Sequence, residues 1–385
     1  MKHFKVIILF FILIIFVVIL SKTSNELWVE KREKILNISE FIIYENMSLD
    51  EFGEKKKIPN EVISKVFKIQ TKYDFEKDIN SFNINIDQIK TEINKNLAIY
   101  SENQSKNWLK IYLKFFLWFI FLIFIFIITK KSLVNSKNRK WLYLISIVIF
   151  GVVMGSDPSP MGTIKDAIVL FGKSNVVFIP RIIALIIFLS LVILANKFIC
   201  SWGCQFGVLQ DFIFRINKTK KQNNSIFKQF KIPFIVTNSI RILFFLIFSV
   251  IAIAWAFDII EWYDPFKIFN PTVIDVISYI FIPTILVLSL FVYRPWCHLF
   301  CPFGLIGWLA EKISIFKIKV NYETCIGCEA CVKSCPSNVM STILKRDKII
   351  PDCFACSSCI NVCPTNSIKF DTGKREKPPD GKFEN

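Results

Sequence analysis

The chain has 385 residues, 53% of them hydrophobic and 40 of them Phe, and a formal net charge of +17. That length would accommodate two or three soluble domains, but the apolar residues fall in long uncharged runs, which exclude that organisation and predict bilayer-spanning helices. The surplus of Lys and Arg lies largely in short segments flanking those runs and in the polar stretch near the N-terminus, so it predicts membrane orientation and no nucleic-acid partner.

Histidine occurs only at His3 and His298. A bis-histidine haem inside the membrane is therefore not expected, which leaves iron–sulfur clusters, a flavin or a quinone as redox groups.

Residues 1–21 carry Lys2 and Lys5 ahead of an uninterrupted apolar run from Val6 to Leu20. No small-x-small site follows, so a signal anchor is expected in preference to a cleaved signal peptide. Residues 22–112 are polar and free of cysteine, with apolar residues at helical spacing in Val62, Val66 and Ile69 and in Ile86, Ile89, Ile93 and Leu97. They predict a small helical extracytoplasmic domain, a spacer or docking module without chemistry of its own. Residues 113–301 form the membrane domain, with five spans at about 115–129, 141–154, 176–199, 232–257 and 273–293, the first two short enough to borrow flanking residues. With the anchor the total is six.

Basic residues orient these spans. The loop 130–140 carries Lys130, Lys131, Lys137, Arg139 and Lys140, and the loop after the fourth span carries Arg215, Lys218, Lys220, Lys221, Lys228 and Lys231. The alternate loops carry only Lys165, Lys173 and Lys267. Both termini are thus expected in the cytoplasm, with residues 22–112 outside.

Near the C-terminus, Cys325, Cys328, Cys331 and Cys335 are followed by Pro336, and the pattern repeats 28 residues later as Cys353, Cys356, Cys359, Cys363 and Pro364. The spacing is that of bacterial two-cluster ferredoxins, in which the fourth cysteine of each run ligates the other run's cluster. That resemblance covers residues 319–370. It implies one [4Fe–4S] cluster on Cys325, Cys328, Cys331 and Cys363, and a second on Cys353, Cys356, Cys359 and Cys335. Structural zinc would call for paired cysteines separated by a longer loop, and a disulfide framework for an oxidising compartment.

Four cysteines remain. Cys200 and Cys204 align with Cys297 and Cys301 at a constant offset of 97, each pair followed after one residue by Phe-Gly. Asp157-Pro158 upstream has a counterpart in Asp264-Pro265, so the membrane domain reads as a duplicated helical hairpin. Three intervening residues would place each cysteine pair on one helical turn at the cytoplasmic span ends, where the four thiols would bind a third metal centre, an iron–sulfur one. Buried free thiols and a redox-active dithiol are the competing readings.

Paired Cys-x-x-x-Cys followed by a two-cluster segment resembles the polyferredoxin-type membrane electron-transfer proteins. Among these are the quinol dehydrogenase subunit of periplasmic nitrate reduction, the membrane half of the nitrous-oxide-reductase regulator and the cbb3 oxidase accessory protein. The resemblance covers roughly residues 141–370. Cys301-Pro302 matches the family motif, whereas Cys204 is followed by Gln205. The resemblance implies electron transfer between cytoplasmic clusters and the quinone pool or an extracytoplasmic redox protein, with a cytosolic donor or acceptor at the other end. A metalloenzyme-assembly or metal-reducing accessory protein and a redox-sensing regulator are the alternatives. No nucleophile–base set, phosphate loop or dinucleotide motif points to another enzyme class.

The fold expected is a polytopic α-helical membrane protein with a small helical outer domain and a cytoplasmic ferredoxin-like α+β domain. Residues 302–318 read as an amphipathic helix on the inner surface, and residues 371–385 as a disordered tail. Arg181 is expected to snorkel, and Arg241 to meet a carboxylate of another helix or a quinone. His298 reads as an ordinary interfacial histidine rather than a ligand of iron.

Overall fold

The computed structural model describes residues 2–28, 47–69, 71–78, 82, 86–218, 225–345, 347, 349–379 and 383. Helix α1 (Lys2–Leu27) runs unbroken because nothing between Val6 and Leu20 is Gly, Pro or charged. It buries Val6, Phe10, Leu13 and Val17 along one stripe against the bundle. Its polar end docks as well: Ser24 Oγ donates to the Val153 carbonyl at 3.2 Å and Asn25 Nδ2 to the Phe269 carbonyl at 3.1 Å.

Helices α2 (Leu49–Lys56), α3 (Asn60–Phe67) and α4 (Ile86–Gln104) follow. They enclose a small separate core that includes Leu49, Phe52, Val62, Ile63, Ile89, Ile93 and Leu97. Of the residues at helical spacing in the sequence, Val62, Ile89, Ile93 and Leu97 belong to this core, Val66 and Ile69 pack against it, and the Ile86 side chain lies outside the described residues.

Helix α5 (Trp108–Lys130) starts at an Asn107 cap and is followed by α6 (Ser136–Ser146), which continues into a π-helical turn over Ile147–Val153. Helix α7 (Pro160–Ser174) packs against α8 (Ile179–Ala195), which follows it, and against two later helices of the bundle. Two short helices, α9 (Phe198–Trp202) and α10 (Gln205–Ile216), come next, then α11 (Phe234–Ala254), α12 (Ile259–Tyr263) and α13 (Val276–Phe291). A second short pair, α14 (Pro295–Leu299) and α15 (Pro302–Glu311), leads to the C-terminal segment.

That segment holds β1 (Phe316–Val320), α16 (Ala330–Ser334), α17 (Val339–Leu344), α18 (Ser358–Asn361) and β2 (Ile368–Thr372). The two strands pair antiparallel, Phe316 opposite Thr372 and Val320 opposite Ile368, so both cysteine runs are enclosed between them.

Among the described residues, three helices are long and apolar enough to cross a membrane: His3–Leu27, Trp108–Lys130 and Phe234–Ala254. Ile179–Ala195 and Val276–Phe291 are apolar but shorter. The sheet packs beneath the end of α5, where the Phe126 ring lies 4.9 Å from Phe316 and 5.8 Å from Phe370. His3 is at this same end, its ring 4.9 Å from Phe227. The small core of α2–α4 is at the other end, where Lys106 pairs with Asp157 at 3.1 Å.

Two expectations for the C-terminal third change. Residues 302–318 do not form one surface helix: α15 packs among α7, α8 and α11, burying Phe303, Leu305 and Trp308, and β1 begins at Phe316. The apolar stripe that suggested a lipid-surface helix is spent inside the bundle. The tail from residue 371 is ordered through its described part. Strand β2 extends to Thr372, Arg375 Nε donates to the Ile318 carbonyl at 2.9 Å, and Phe383 is buried near Tyr322.

Phe188 has no exposed surface and lies among Phe115, Trp118 and Phe303, with centroid distances of 5.5, 5.4 and 6.3 Å. Phe188→Ala should cost about 3–5 kcal/mol and lower the thermal unfolding midpoint of the detergent-solubilised protein.

Candidate iron–sulfur sites

Cys200 and Cys297 sit in the five-residue helices α9 and α14, while Cys204 and Cys301 sit at the N-caps of α10 and α15. The expectation of each pair on one helical turn therefore fails, because the chain breaks between the two cysteines. Both breaks have the same form. Gly203 N and Cys204 N both donate to the Ile199 carbonyl, as Phe300 N and Cys301 N both donate to that of Trp296. Gly207 and Gly304 let the returning helix close up. A Cβ at Gly207 would meet the Cys200 carbonyl at 2.8 Å, and one at Gly304 the Cys297 carbonyl at 2.5 Å.

These turns are also not at span ends. Trp118, midway along α5, donates to the Gly203 carbonyl at 3.0 Å, and Gln205 donates to the Ser156 carbonyl at 2.8 Å. The pairs α9–α10 and α14–α15 thus enter the bundle and return, which buries all four thiols. The sequence could not show this, because a five-residue segment is too short to carry a periodic signal that separates the end of one span from the start of a hairpin. Cys200 and Cys297 each lie within electrostatic range of Cys204 and Cys301, so the four form one group.

Buried charge surrounds that group. Arg294 donates to the Cys200 carbonyl at 2.6 Å and pairs with Asp211 at 2.8 Å. Arg241 reaches the Gly304 carbonyl at 3.1 Å and Asp352 at 3.2 Å. Lys197 binds the Gly304 carbonyl and Asp352. Arg241 therefore meets a carboxylate, as one of its two readings required, but the partner lies in the C-terminal segment and not in another helix. Asp211 and Asp352 were not singled out by the sequence, where nothing distinguishes them from other carboxylates.

The C-terminal cysteines fall into two sets. A hollow of about 380 Å³ is lined by Cys335, Cys353, Cys356 and Cys359. Cys331 lies within electrostatic range of Cys325 and Cys363, and Ser367 N donates to Cys363 Sγ at 3.3 Å. The fourth cysteine of each run is thus brought to the other run's loop. Each loop carries left-handed residues at matching places, Gly327 and Glu329 in the first and Ala355 and Ser357 in the second. Backbone turns of this kind build anion-binding concavities. Cys328 is exposed, whereas Cys353 and Cys359 are buried.

Clusters of this kind fit the residues present. Among the described residues no three His, Cys, Asp or Glu close to the spacing of a single metal ion, and a cubane holds its thiolates further apart than one ion would. Ser201, Gln205 and Trp296, each adjacent in sequence to a membrane-domain cysteine, keep a buried polar atom with no protein partner, as do Arg139 and Ser357 near Cys356. His298 Nδ1 sits 3.1 Å from the Arg294 carbonyl, and its ring packs on Tyr293 and Phe354, a structural placement.

Direct contacts join the two regions. Lys197 N donates to the Cys353 carbonyl at 3.4 Å, Trp202 Nε1 to the Ala355 carbonyl at 3.4 Å, and the Arg294 guanidinium lies 4.6 Å from the Phe354 ring centre.

Comparison with known proteins agrees with these positions. Residues 317–364 match the family described as 4Fe-4S dicluster domain. Residues 177–223 and 274–321 each match the family described as 4Fe-4S binding domain, and each segment contains one of the membrane-domain cysteine pairs. The chain carries ferredoxin-type 4Fe-4S modules. It is 26% identical over 175 residues to "Putative electron transport protein YccM" of Escherichia coli (strain K12), covering 44% of this chain and 49% of that protein. It is 26% identical over 164 residues to uncharacterized protein MJ0749 of Methanocaldococcus jannaschii, covering 42% of this chain and 60% of that protein. The chain thus spans about half to three-fifths of the length of these relatives. No solved structure matches.

Asp352→Asn removes the carboxylate that the buried Lys197 and Arg241 share. It should destabilise the fold by about 3–5 kcal/mol, seen as a lower unfolding midpoint of the purified protein.

Proposed function

We propose that the protein carries electrons across a membrane through three iron–sulfur centres, between a cytoplasmic partner at the sheet end and the quinone pool or a redox protein at the opposite end. The observation that carries this reading is charge. Five cations, Arg139, Lys197, Arg215, Arg241 and Arg294, are buried between the four-cysteine group and the C-terminal loops, against the carboxylates Asp211, Glu311 and Asp352. Excess buried positive charge is costly unless an anion accompanies it. Cysteine-ligated clusters carry net negative charge and would supply it.

Cys325, Cys328, Cys331 and Cys363 would hold one [4Fe–4S] cluster, Cys353, Cys356, Cys359 and Cys335 a second, and Cys200, Cys204, Cys297 and Cys301 a third centre. When bound, these groups supply one-electron redox chemistry at potentials set by hydrogen bonding, charge and exposure. The chain's own residues fix those variables. Arg294 and Lys197 stand between the four-cysteine turns and the Cys353 loop, and Trp202 and Phe354 fill that interval and exclude water. Arg139 donates to Ser358 Oγ at 3.2 Å, itself 3.2 Å from Cys356 Sγ, so positive charge is directed at the second set. The exposed Cys328 marks the first set as the one a soluble partner can approach.

Six spans, with residues 22–112 outside and the two-cluster segment in the cytoplasm, is the topology that accompanies this reading. It is supported by the basic loop 130–140, His3 and the sheet gathering at one end. The name of the Escherichia coli relative points to electron transport as well.

Iron and acid-labile sulfide counted on purified protein test the centres. Wild type should hold three, and joint replacement of Cys200 and Cys204 by Ser should remove about a third of the iron. A full complement of two cubanes in wild type, unchanged by that replacement, would remove the third centre. In low-temperature EPR, Cys335→Ser should perturb the same signal as Cys356→Ser, and Cys363→Ser the same signal as Cys325→Ser.

A further inference from the structure

Two hollows meet at the end of the bundle opposite the sheet. One, of about 510 Å³, has hydrocarbon walls from Trp108, Ile111, Phe115, Phe178, Pro180 and Ala184. The other, of about 710 Å³, is polar, with Lys165, Glu261, Asp264 and Lys267 among its walls. Lys106, Asp157, Ser159, Asp166 and Arg181 line both, so the pair forms one amphipathic site with its charged groups at the junction. Helices α5 and α8 wall the apolar part and expose Tyr112 and Ile179 immediately beside it.

The junction is organised. Arg181 pairs with Glu102 and Asp166 instead of snorkelling, while its Nε is buried without a partner. Lys165 holds Asp166 at 3.3 Å, Asp258 at 3.0 Å and Glu261 at 2.9 Å. Burial raises the Asp264 carboxyl to about 7 against the opposing pull of Lys165, which suits a group that takes up and releases protons near neutrality. The two Asp-Pro turns, at Asp157 and Asp264, face the same polar hollow.

The site also touches the four-cysteine group. Gln205, next to Cys204, donates to the Ser156 carbonyl at 2.8 Å, and its Oε1 is buried and free of protein partners. The Phe206 ring lies 5.6 Å from that of Phe266, which lines the polar hollow.

We propose that these joined hollows bind a lipid-borne quinone or quinol, its ring at the junction beside Asp166 and Arg181 and its isoprenoid tail along Trp108, Phe115 and Phe178. A compound with an apolar tail, two ionisable oxygens and a redox-active ring matches a slot that is hydrocarbon on one side and charged on the other. This rests on the electron-transfer reading above. In the oxidising direction the two O–H bonds of the quinol break. Two protons pass to carboxylates of the polar hollow, and two electrons leave singly to the oxidised iron–sulfur centres of that reading; quinone reduction is the reverse.

The test uses full-length purified protein in nanodiscs and a fluorescent hydroxyquinoline N-oxide, a quinol analogue, titrated to follow quenching. Wild type should quench saturably. Ala184→Trp and Ile111→Trp, which fill the apolar hollow, should each weaken binding roughly tenfold or more while the EPR of dithionite-reduced protein stays unchanged. Photolabelling of wild type with an azidoquinone should mark peptides covering 108–115 or 178–184, which keeps the test valid if neither variant folds. Absence of binding to wild type, unaltered affinity in both folded variants, or labelling elsewhere overturns the proposal. If dithionite reduces the centres but a short-chain quinol neither binds nor reduces them, the quinone site falls and the relay stands. If wild type lacks iron yet binds the analogue and the tryptophan variants do not, the site stands and the relay falls.

Discussion

The burial of Arg241, Arg294 and Lys197 is the constraint on which the middle of this protein depends. None of the three can reach water, and each would be prohibitive in an apolar bundle without fixed partners. Their partners come from two distant places in the chain: Asp211 on α10, and Asp352 just ahead of the second cysteine run. Because Asp352 belongs to the C-terminal segment, pairing with it pins that segment against the helix bundle. The three side chains also donate to carbonyls at Cys200, Cys297 and Gly304, so the same charges set the geometry of the cysteine turns.

Re-entrant helix pairs make that arrangement feasible. Irregular backbone inside an apolar bundle is tolerated only where its polar groups find partners. Here the turns at Gly203 and Phe300 are enclosed by α5, α8, α11 and α13, and their carbonyls are met by Trp118, Arg294 and Arg241. Each turn presents one cysteine from a short entering helix and one from the N-cap of the returning helix. The aromatic wall around them, built on Trp118, Phe188, Trp202 and Phe303, leaves little room for water, and low polarity strengthens every fixed charge nearby.

The two ends of the molecule differ in what they offer a partner. At the sheet end the approach is through loops with an exposed cysteine. At the far end it is through a slot with apolar and charged sides, capped by α7 and tied to the small helical core by Glu102 and Lys106. The backbone contact of Lys197 with Cys353 and the side-chain contact of Gln205 with Ser156 join the two ends through the four-cysteine group. That continuity gives a common physical basis to features that looked unrelated along the chain.

Cysteine spacing made the two C-terminal sets and the 97-residue correspondence visible in the sequence, because ligation of a cubane needs thiols at fixed short separations. Hydropathy likewise placed α1 and α11 as helices long enough to span and found the apolar middle of α5, and period-3.6 spacing located the face of α3 and α4 that forms the small core. Depth and direction were not legible. A five-residue apolar helix such as α9 or α14 carries no periodic signal that separates a span end from a re-entrant turn, so the four cysteines were expected at an interface and lie inside the bundle. The same ambiguity hid the burial of α15. Asp211 and Asp352 gave no signal at all, since a carboxylate becomes special only through the cation that folding brings to it. Sequence determined which residues can bind iron and which stretches prefer lipid. Tertiary structure alone decided which charges are buried together, how deep the four-cysteine group lies, and where the chain turns back, because each of these depends on contacts between residues far apart in the chain.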